Sequence, residues 1–223
     1  MKISTFNINK FQGPYSNPYT KGGYYNPRNI DFKTPIKHLC SRYLENEDDI
    51  IFVQEFYDDN KVSAKEYFEK NGYKVFHNLD KISKSHVVAI TLKRTLWKFI
   101  NPEETEFQNK FIEMEFKKSL KIISFHNTDE KIEDRMNNEF DRGNKDIILG
   151  DFNNTKWIDK LRNSPSNKYR DLVTNDMITY KPAQTSIDCI FLSKYNFKYK
   201  VIFNGVIETY ISDHNFLTFT LNI

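Results

Sequence analysis

Short apolar runs alternate with polar, turn-forming stretches along most of this chain of 223 residues. Runs rich in Ile, Val, Leu and Phe predict β-strands at 2–8, 50–54, 73–77, 86–92, 95–100, 111–116, 120–126, 146–150, 187–192, 199–207 and 216–222. Helical patterns fall between some of them. Thr34-Pro35 reads as N-cap and first residue of a helix reaching about residue 46. Ser63-Ala64-Lys65-Glu66 is a capping box for a helix that Asn71-Gly72 closes. Residues 129–142 and roughly 155–162 carry the helical period as well. Strands such as Asp49-Ile50-Ile51-Phe52-Val53 are apolar at successive positions, hence on both faces. That pattern predicts an α/β protein in which two packed, mainly antiparallel sheets are flanked by helices. No repeat, linker or low-complexity tail is read in the sequence, so residues 1–223 are expected to form a single domain.

Composition narrows the class. With 39% hydrophobic and 15% aromatic residues, the chain suits a globular fold with one substantial core. No apolar stretch is long enough to span a membrane. The N-terminus enters a strand with no signal-peptide pattern, which sets a cytoplasmic location as the expectation. Cys40 and Cys189 are too few for a disulfide framework or a zinc cluster and are read as reduced, structural thiols. The net charge of +3 neither demands nor excludes a polyanionic partner. No obligate protein partner is evident.

One segment stands apart. Residues 11–32 place Tyr15, Tyr19, Tyr24 and Tyr25 among glycines, prolines and asparagines, with Lys10, Lys21 and Arg28 alongside. Such a loop can stack bases on its rings while its cations meet phosphates. It can equally be a self-packed loop covering a sheet edge. On the first reading, Tyr24, Tyr25 and Arg28 are the substrate-binding candidates.

The chemistry lies at the strand ends. Ile147-Ile148-Leu149-Gly150 runs into Asp151-Phe152-Asn153, a carboxylate and a carboxamide two residues apart and so on one side of a strand. Alone, this segment reads as readily as a turn. The same design recurs at Phe6-Asn7-Ile8-Asn9, Gln54-Glu55, His126-Asn127, Ser186-Ile187-Asp188 and Ser212-Asp213-His214. Each has a dull explanation by itself: a turn residue, a core histidine, a surface acid. Jointly these explanations fail, because gathering so many acids without pairing or a cation is too costly. A metal ion is the economical answer.

The ordered set Asn7, Gln54-Glu55, Gly150-Asp151-Phe152-Asn153, Ile187-Asp188-Cys189-Ile190-Phe191 and Ser212-Asp213-His214 resembles the endonuclease/exonuclease/phosphatase superfamily, the deoxyribonuclease-I-like proteins. Each motif is weak by itself; four in order, spanning the chain, are specific. The resemblance implies a four-layered α/β sandwich and metal-dependent cleavage of a phosphoester. It implies Glu55 as principal ligand of Mg²⁺ or Mn²⁺, with Asn7 and Asp213 close by. Asp151 would orient or deprotonate the attacking water, and Asn153 would hold that water or a phosphate oxygen. His214, buttressed by Asp188, would face the phosphate, and His126 would be a second imidazole donor.

Departures from the family pattern bear on the substrate. Asn154-Thr155-Lys156-Trp157 differs from the Asn-Val-Ala-His continuation of the apurinic-site repair branch. Thr185-Ser186-Ile187-Asp188 replaces the pattern of inositol polyphosphate phosphatases, and Asn215-Phe216 stands where many relatives have proline. The main expectation is a nuclease or phosphodiesterase acting on DNA or RNA. A phosphatase or phospholipase C-type hydrolase on a small phosphoester is the alternative, and a non-catalytic binding module the rival from another class.

Overall fold

The structure, a computed structural model, describes residues 1–11, 33–58, 63–78, 85–100, 107–195, 197–209 and 211–222. Two six-stranded sheets pack against each other. The first runs in the order β11 (Lys200–Ile207), β12 (Phe216–Asn222), β1 (Lys2–Asn7), β2 (Ile50–Phe56), β4 (His86–Leu92) and β3 (Tyr73–Phe76). The second runs β5 (Trp97–Phe99), β6 (Phe111–Phe116), β7 (Leu120–His126), β8 (Ile147–Asp151), β10 (Asp188–Ser193) and β9 (Tyr169–Asp171). In each sheet one pairing is parallel, β1 with β2 and β7 with β8, and the others are antiparallel. A parallel pair needs a long crossover, and here α1 (Lys33–Asn46) and α3 (Glu130–Arg142) lie in those connections.

The two-faced apolar strands explain the four layers. Ile50 and Phe52 of β2 point between the sheets, where they join Ile122, Ile147, Leu149 and Phe219. Ile51 and Val53, one residue out of phase, point outward to Ile36 and Leu39 of α1 and Phe68 of α2 (Ala64–Lys70). On the far side, Ile132, Met136 and Phe140 of α3 and Trp157, Ile158 and Leu161 of α4 (Thr155–Asn163) cover Phe125, Ile148, Phe152 and Phe191. Each large side chain buried this way contributes about 2–3 kcal/mol. Local chemistry sets the helix limits. Asp129 Oδ1 accepts from the amides of Lys131 and Ile132 at 3.0 and 3.3 Å, and Gly143 ends α3 at φ 65°. Ser63 Oγ caps α2 through the Glu66 amide at 3.0 Å, and Gly72 follows it at φ 92°.

Several expectations change in detail. Helix α1 begins at Lys33, ahead of the Thr34-Pro35 start signal. The strand expected at 95–100 is confined to Trp97–Phe99, and the three-residue β9 has too little pattern to be read from sequence. Both sheets are mainly antiparallel, as expected, with one parallel pairing in each. The sequence shows no fixed-period repeat, yet the two sheets arrange their strands alike, each with its parallel pair at the third and fourth places. Connections of unequal length hide that likeness from any search for a fixed period. Among the described residues, no helix is long and apolar enough to cross a membrane. The loop 11–32, with Tyr24, Tyr25 and Arg28, lies outside the described residues except for Phe11.

Candidate active site

The two parallel pairs end side by side. In the first sheet Asn7 stands opposite Gln54, and in the second His126 stands opposite Asp151. The side chains then meet across the sheets. Asn7 Nδ2 donates to Asp151 Oδ2 at 2.8 Å and to Glu55 Oε1 at 3.2 Å. His126 Nε2 lies 3.6 Å from Glu55 Oε1 and 3.8 Å from Asp151 Oδ2. Glu55 Oε2 faces Lys10 Nζ at 3.6 Å.

Backbone geometry makes these approaches possible. The β2–β4 register shifts between Val53 and Phe56, and Glu55 adopts φ 52°. This bulge turns Glu55 toward the site while Gln54 points inward, donating to Thr5 Oγ1 and Ser124 Oγ at 2.9 Å each. In the second sheet the bend is at Gly150, with φ 137°. A β-carbon there would lie 2.0 Å from the Phe125 carbonyl oxygen, so only glycine fits. Asn153 follows in a left-handed conformation, φ 51°. Its side chain therefore reaches Asp151 by a turn and not by continued strand alternation. Asn153 Nδ2 donates to Asp151 Oδ2 at 3.1 Å and to the Asn127 carbonyl at 3.0 Å, while its backbone N–H donates to Asp151 Oδ1 at 2.9 Å.

The remaining wall comes from the segment before β12. Ser212 Oγ donates to the Asn7 carbonyl at 2.7 Å and accepts from the His214 amide at 3.2 Å, tying the segment to β1. His214 Nδ1 pairs with Asp188 Oδ2 at 2.9 Å, leaving Nε2 at 3.9 Å from Asp151 Oδ2 and 4.0 Å from Asp213 Oδ1. Asp188 is fixed in turn by Thr179, whose Oγ1 accepts from the amides of Ile187 and Asp188 at 2.9 Å each. Tyr180 packs its ring on His214, centroid to centroid 4.9 Å. Sequence reasoning missed Thr179, Tyr180 and Ser212 as site supports. A Thr-Tyr pair just ahead of the Asp188 motif was the available signal.

These contacts tune the two histidines in opposite directions. Burial holds His126 down to a pKa of about 4 despite nearby Glu55, so it is neutral at pH 7. Burial would lower His214 too, but Asp188, Asp151 and Asp213 lift it to about 10 and keep it cationic. Asp151 is pushed far above the ordinary carboxylate range by complete burial and by the charge of Asp188. Burial also pushes Glu55 upward, yet His126, Lys10 and Asn7 outweigh it, and its net shift is downward. The cationic His214 adds to that downward pull. Asp213 is raised by burial, with a further push from Glu55.

No protein-family model matches the sequence, and no curated protein matches it. Solved structures do resemble it. D. rerio TDP2 in complex with a single-strand DNA product superposes with a TM-score of 0.67 at 16% identity, covering 100% of this chain and 99% of that one. An AP endonuclease from Archaeoglobus fulgidus gives 0.64 at 15% identity, with both chains covered in full (100% each). An endonuclease/exonuclease/phosphatase protein from Bacteroides vulgatus gives 0.56 at 14%, covering 99% and 98%. This is the endonuclease/exonuclease/phosphatase fold.

Within that fold, the described residues offer two places for a cation. Oxygen and nitrogen atoms of Asp151, Asp188 and His214 lie within 4.8 Å of one another. Their polar atoms are already engaged, however: His214 Nδ1 with Asp188, and Asp151 with Asn7 and Asn153. Glu55 and Asp213, the carboxylates expected as ligands, are engaged as well, Glu55 by Asn7 and Lys10 and Asp213 by Ser212. Glu55 is ionised and partly exposed, and Asp213 is raised by burial and, to a lesser extent, by Glu55's charge, costs that a divalent ion held by both would relieve. Asn7 turns its amide nitrogen to Glu55 and Asp151, while its oxygen accepts from the Asn9 amide at 2.8 Å. In this orientation Asn7 joins the carboxylates and does not itself offer an oxygen.

Proposed function

We propose that residues 1–223 form one catalytic domain that hydrolyses phosphodiester bonds in nucleic acid with the help of Mg²⁺ or Mn²⁺. The observation carrying this reading is the junction of Glu55 and Asp151 through Asn7, flanked by a neutral and a cationic histidine. Two carboxylates, one ionised and one of high proton affinity, suit hydrolysis of an anionic ester. Likeness to a TDP2 caught with a DNA product and to an AP endonuclease supports nucleic acid as the substrate class.

Glu55 and Asp213 would hold the ion, with Asn7 beside them. When bound, it supplies Lewis-acid polarisation and neutralises phosphate charge. Asp151 would orient the attacking water and, in its ionised form, take its proton; the cationic His214 beside it favours that form. Asn153 holds Asp151 in place through two hydrogen bonds and is near enough to share the water. His214, kept cationic by Asp188, meets negative charge growing on the phosphoryl oxygens. His126, neutral, donates one N–H to the same oxygens without adding charge.

The test is a panel of single-stranded DNA, duplex DNA, RNA, inositol phosphates and sphingomyelin, each with Mg²⁺, Mn²⁺ or EDTA. Cleavage of a nucleic acid that EDTA abolishes and added Mg²⁺ or Mn²⁺ restores is the expected result. Turnover of a small phosphoester alone would sink the nuclease reading.

A further inference from the structure

We propose that Lys10 is an internal counter-cation for Glu55, which a divalent ion must displace and which then serves the substrate phosphate. This rests on the assignment of Glu55 to the metal. Lys10 Nζ lies 3.6 Å from Glu55 Oε2, whereas Asn7 uses the other oxygen, Oε1. The oxygen that a lysine and a metal would share is therefore the one Asn7 does not occupy.

The placement of Lys10 is built into the backbone. Asn9 and Lys10 stand at φ 49° and φ 52° in a short 3-10 turn, a region that residues with a β-carbon seldom enter. Two bonds hold the turn at the site mouth: the Asn9 amide to Asn7 Oδ1 at 2.8 Å, and the Ile8 amide to the Gln54 carbonyl at 3.1 Å. A casual surface ion pair gains too little to select such a backbone. The lysine side chain is 46% exposed and Glu55 only 18%, so the ammonium caps a recessed carboxylate from the solvent side. A cation reaching Glu55 meets like charge. Once displaced, the ammonium stays tethered at the mouth, with three donors free to meet a phosphate oxygen.

Removing the charge should therefore move two affinities in opposite directions. Mn²⁺ binding to the full chain without substrate would be followed by the electron paramagnetic resonance of the free ion. Lys10→Met is expected to bind Mn²⁺ about tenfold more tightly at low salt. The difference should shrink as ionic strength rises to about 0.5 M. With a single-stranded oligonucleotide, the same variant should show a KM raised several-fold at little-changed kcat. Lys10→Arg should restore both values. Equal or weaker Mn²⁺ affinity in a folded Lys10→Met protein would overturn the proposal, even if KM rises. Wild-type protein without saturable Mn²⁺ binding, or Glu55→Gln binding as well as wild type, would instead overturn the assignment of Glu55.

Discussion

β1 and β2 in the first sheet and β7 and β8 in the second are built on one frame and finished differently. Lys2-Ile3-Ser4-Thr5-Phe6-Asn7 matches Lys121-Ile122-Ile123-Ser124-Phe125-His126, and Asp49-Ile50-Ile51-Phe52 matches Asp146-Ile147-Ile148-Leu149. Register agrees residue for residue, with Ile3 opposite Ile50 and Ile122 opposite Ile147. Even the bonds where the strands begin are equal: Asp49 Oδ2 accepts from the Lys2 amide and Asp146 Oδ2 from the Lys121 amide, each at 2.7 Å. The pairs part where function begins. Opposite the last residues the first half has Gln54, which points into the core, and a bulge brings Glu55 round to the site. The second half has Asp151 at the matching register, with Gly150 supplying the bend. A one-residue step along a strand exchanges its faces, so the two halves reach the same site by different backbone devices.

If each half supplies one indispensable carboxylate, losing either should abolish hydrolysis while the sandwich remains. Glu55→Gln and Asp151→Asn are each expected to lower kcat about 10³-fold or more, equivalent to about 4 kcal/mol of transition-state stabilisation. Circular dichroism should stay unchanged, while Asp151→Asn should melt somewhat lower than wild type, since its new amide group faces a donor of Asn7 or Asn153. Surviving activity in one variant only would make the site the property of a single half.

The frame was legible in the sequence because apolar alternation and caps are local. All four α-helices among the described residues, and eleven of the twelve strands, lie where the pattern predicts them. The side chains of the strand-end residues Asn7, Glu55, His126, Asp151, Asn153, Asp188, Asp213 and His214 do meet at one place, where the two parallel pairs end. What could not be read is which way each turns. Whether Asn7 offers nitrogen or oxygen, and whether Gln54 or Glu55 faces the site, depends on a bulge and on left-handed residues that carry no periodic signal. Lys-Ile and Asp-Ile-Ile recur in the sequence, but at unequal spacing and over too few residues to be read as a repeat.

Gly150 and Val53 test the backbone devices against each other. They hold the same register position, opposite Phe125 and Phe6. Val53→Ala is an ordinary core truncation and should cost about 1–2 kcal/mol. Gly150→Ala adds a methyl group that meets the Phe125 carbonyl at 2.0 Å in a conformation unsuited to alanine. A loss of about 3–4 kcal/mol is expected from urea denaturation, together with reduced hydrolysis as Asp151 shifts. Equal losses in the two variants would remove the distinction drawn between a bulge and a glycine bend.

The residues just ahead of Asp49 and Asp146 complete the comparison. Lys145 is buried but paired, with Glu113 at 2.7 Å and Glu139 at 3.7 Å. Its counterpart Asp48 is buried with only Ser4 Oγ at 3.0 Å, and its Oδ2 has no hydrogen-bond partner among the described residues. Burial accordingly pushes Asp48 up from 3.8 to about 6. The folded state then binds this proton more strongly than the unfolded state does, so stability falls as pH rises from about 4 to about 6 and stays lower above. Asp48→Asn should match wild type near pH 4 and exceed it by about 2–3 kcal/mol at pH 7. Urea titrations at the two pH values would measure this. A constant difference would mean that Arg42 and Lys2, which already pull on this carboxylate, keep it ionised in the folded protein. Asp48 would then be as well compensated as Lys145, and the starts of β2 and β8 would differ only in the sign of the charge they bury.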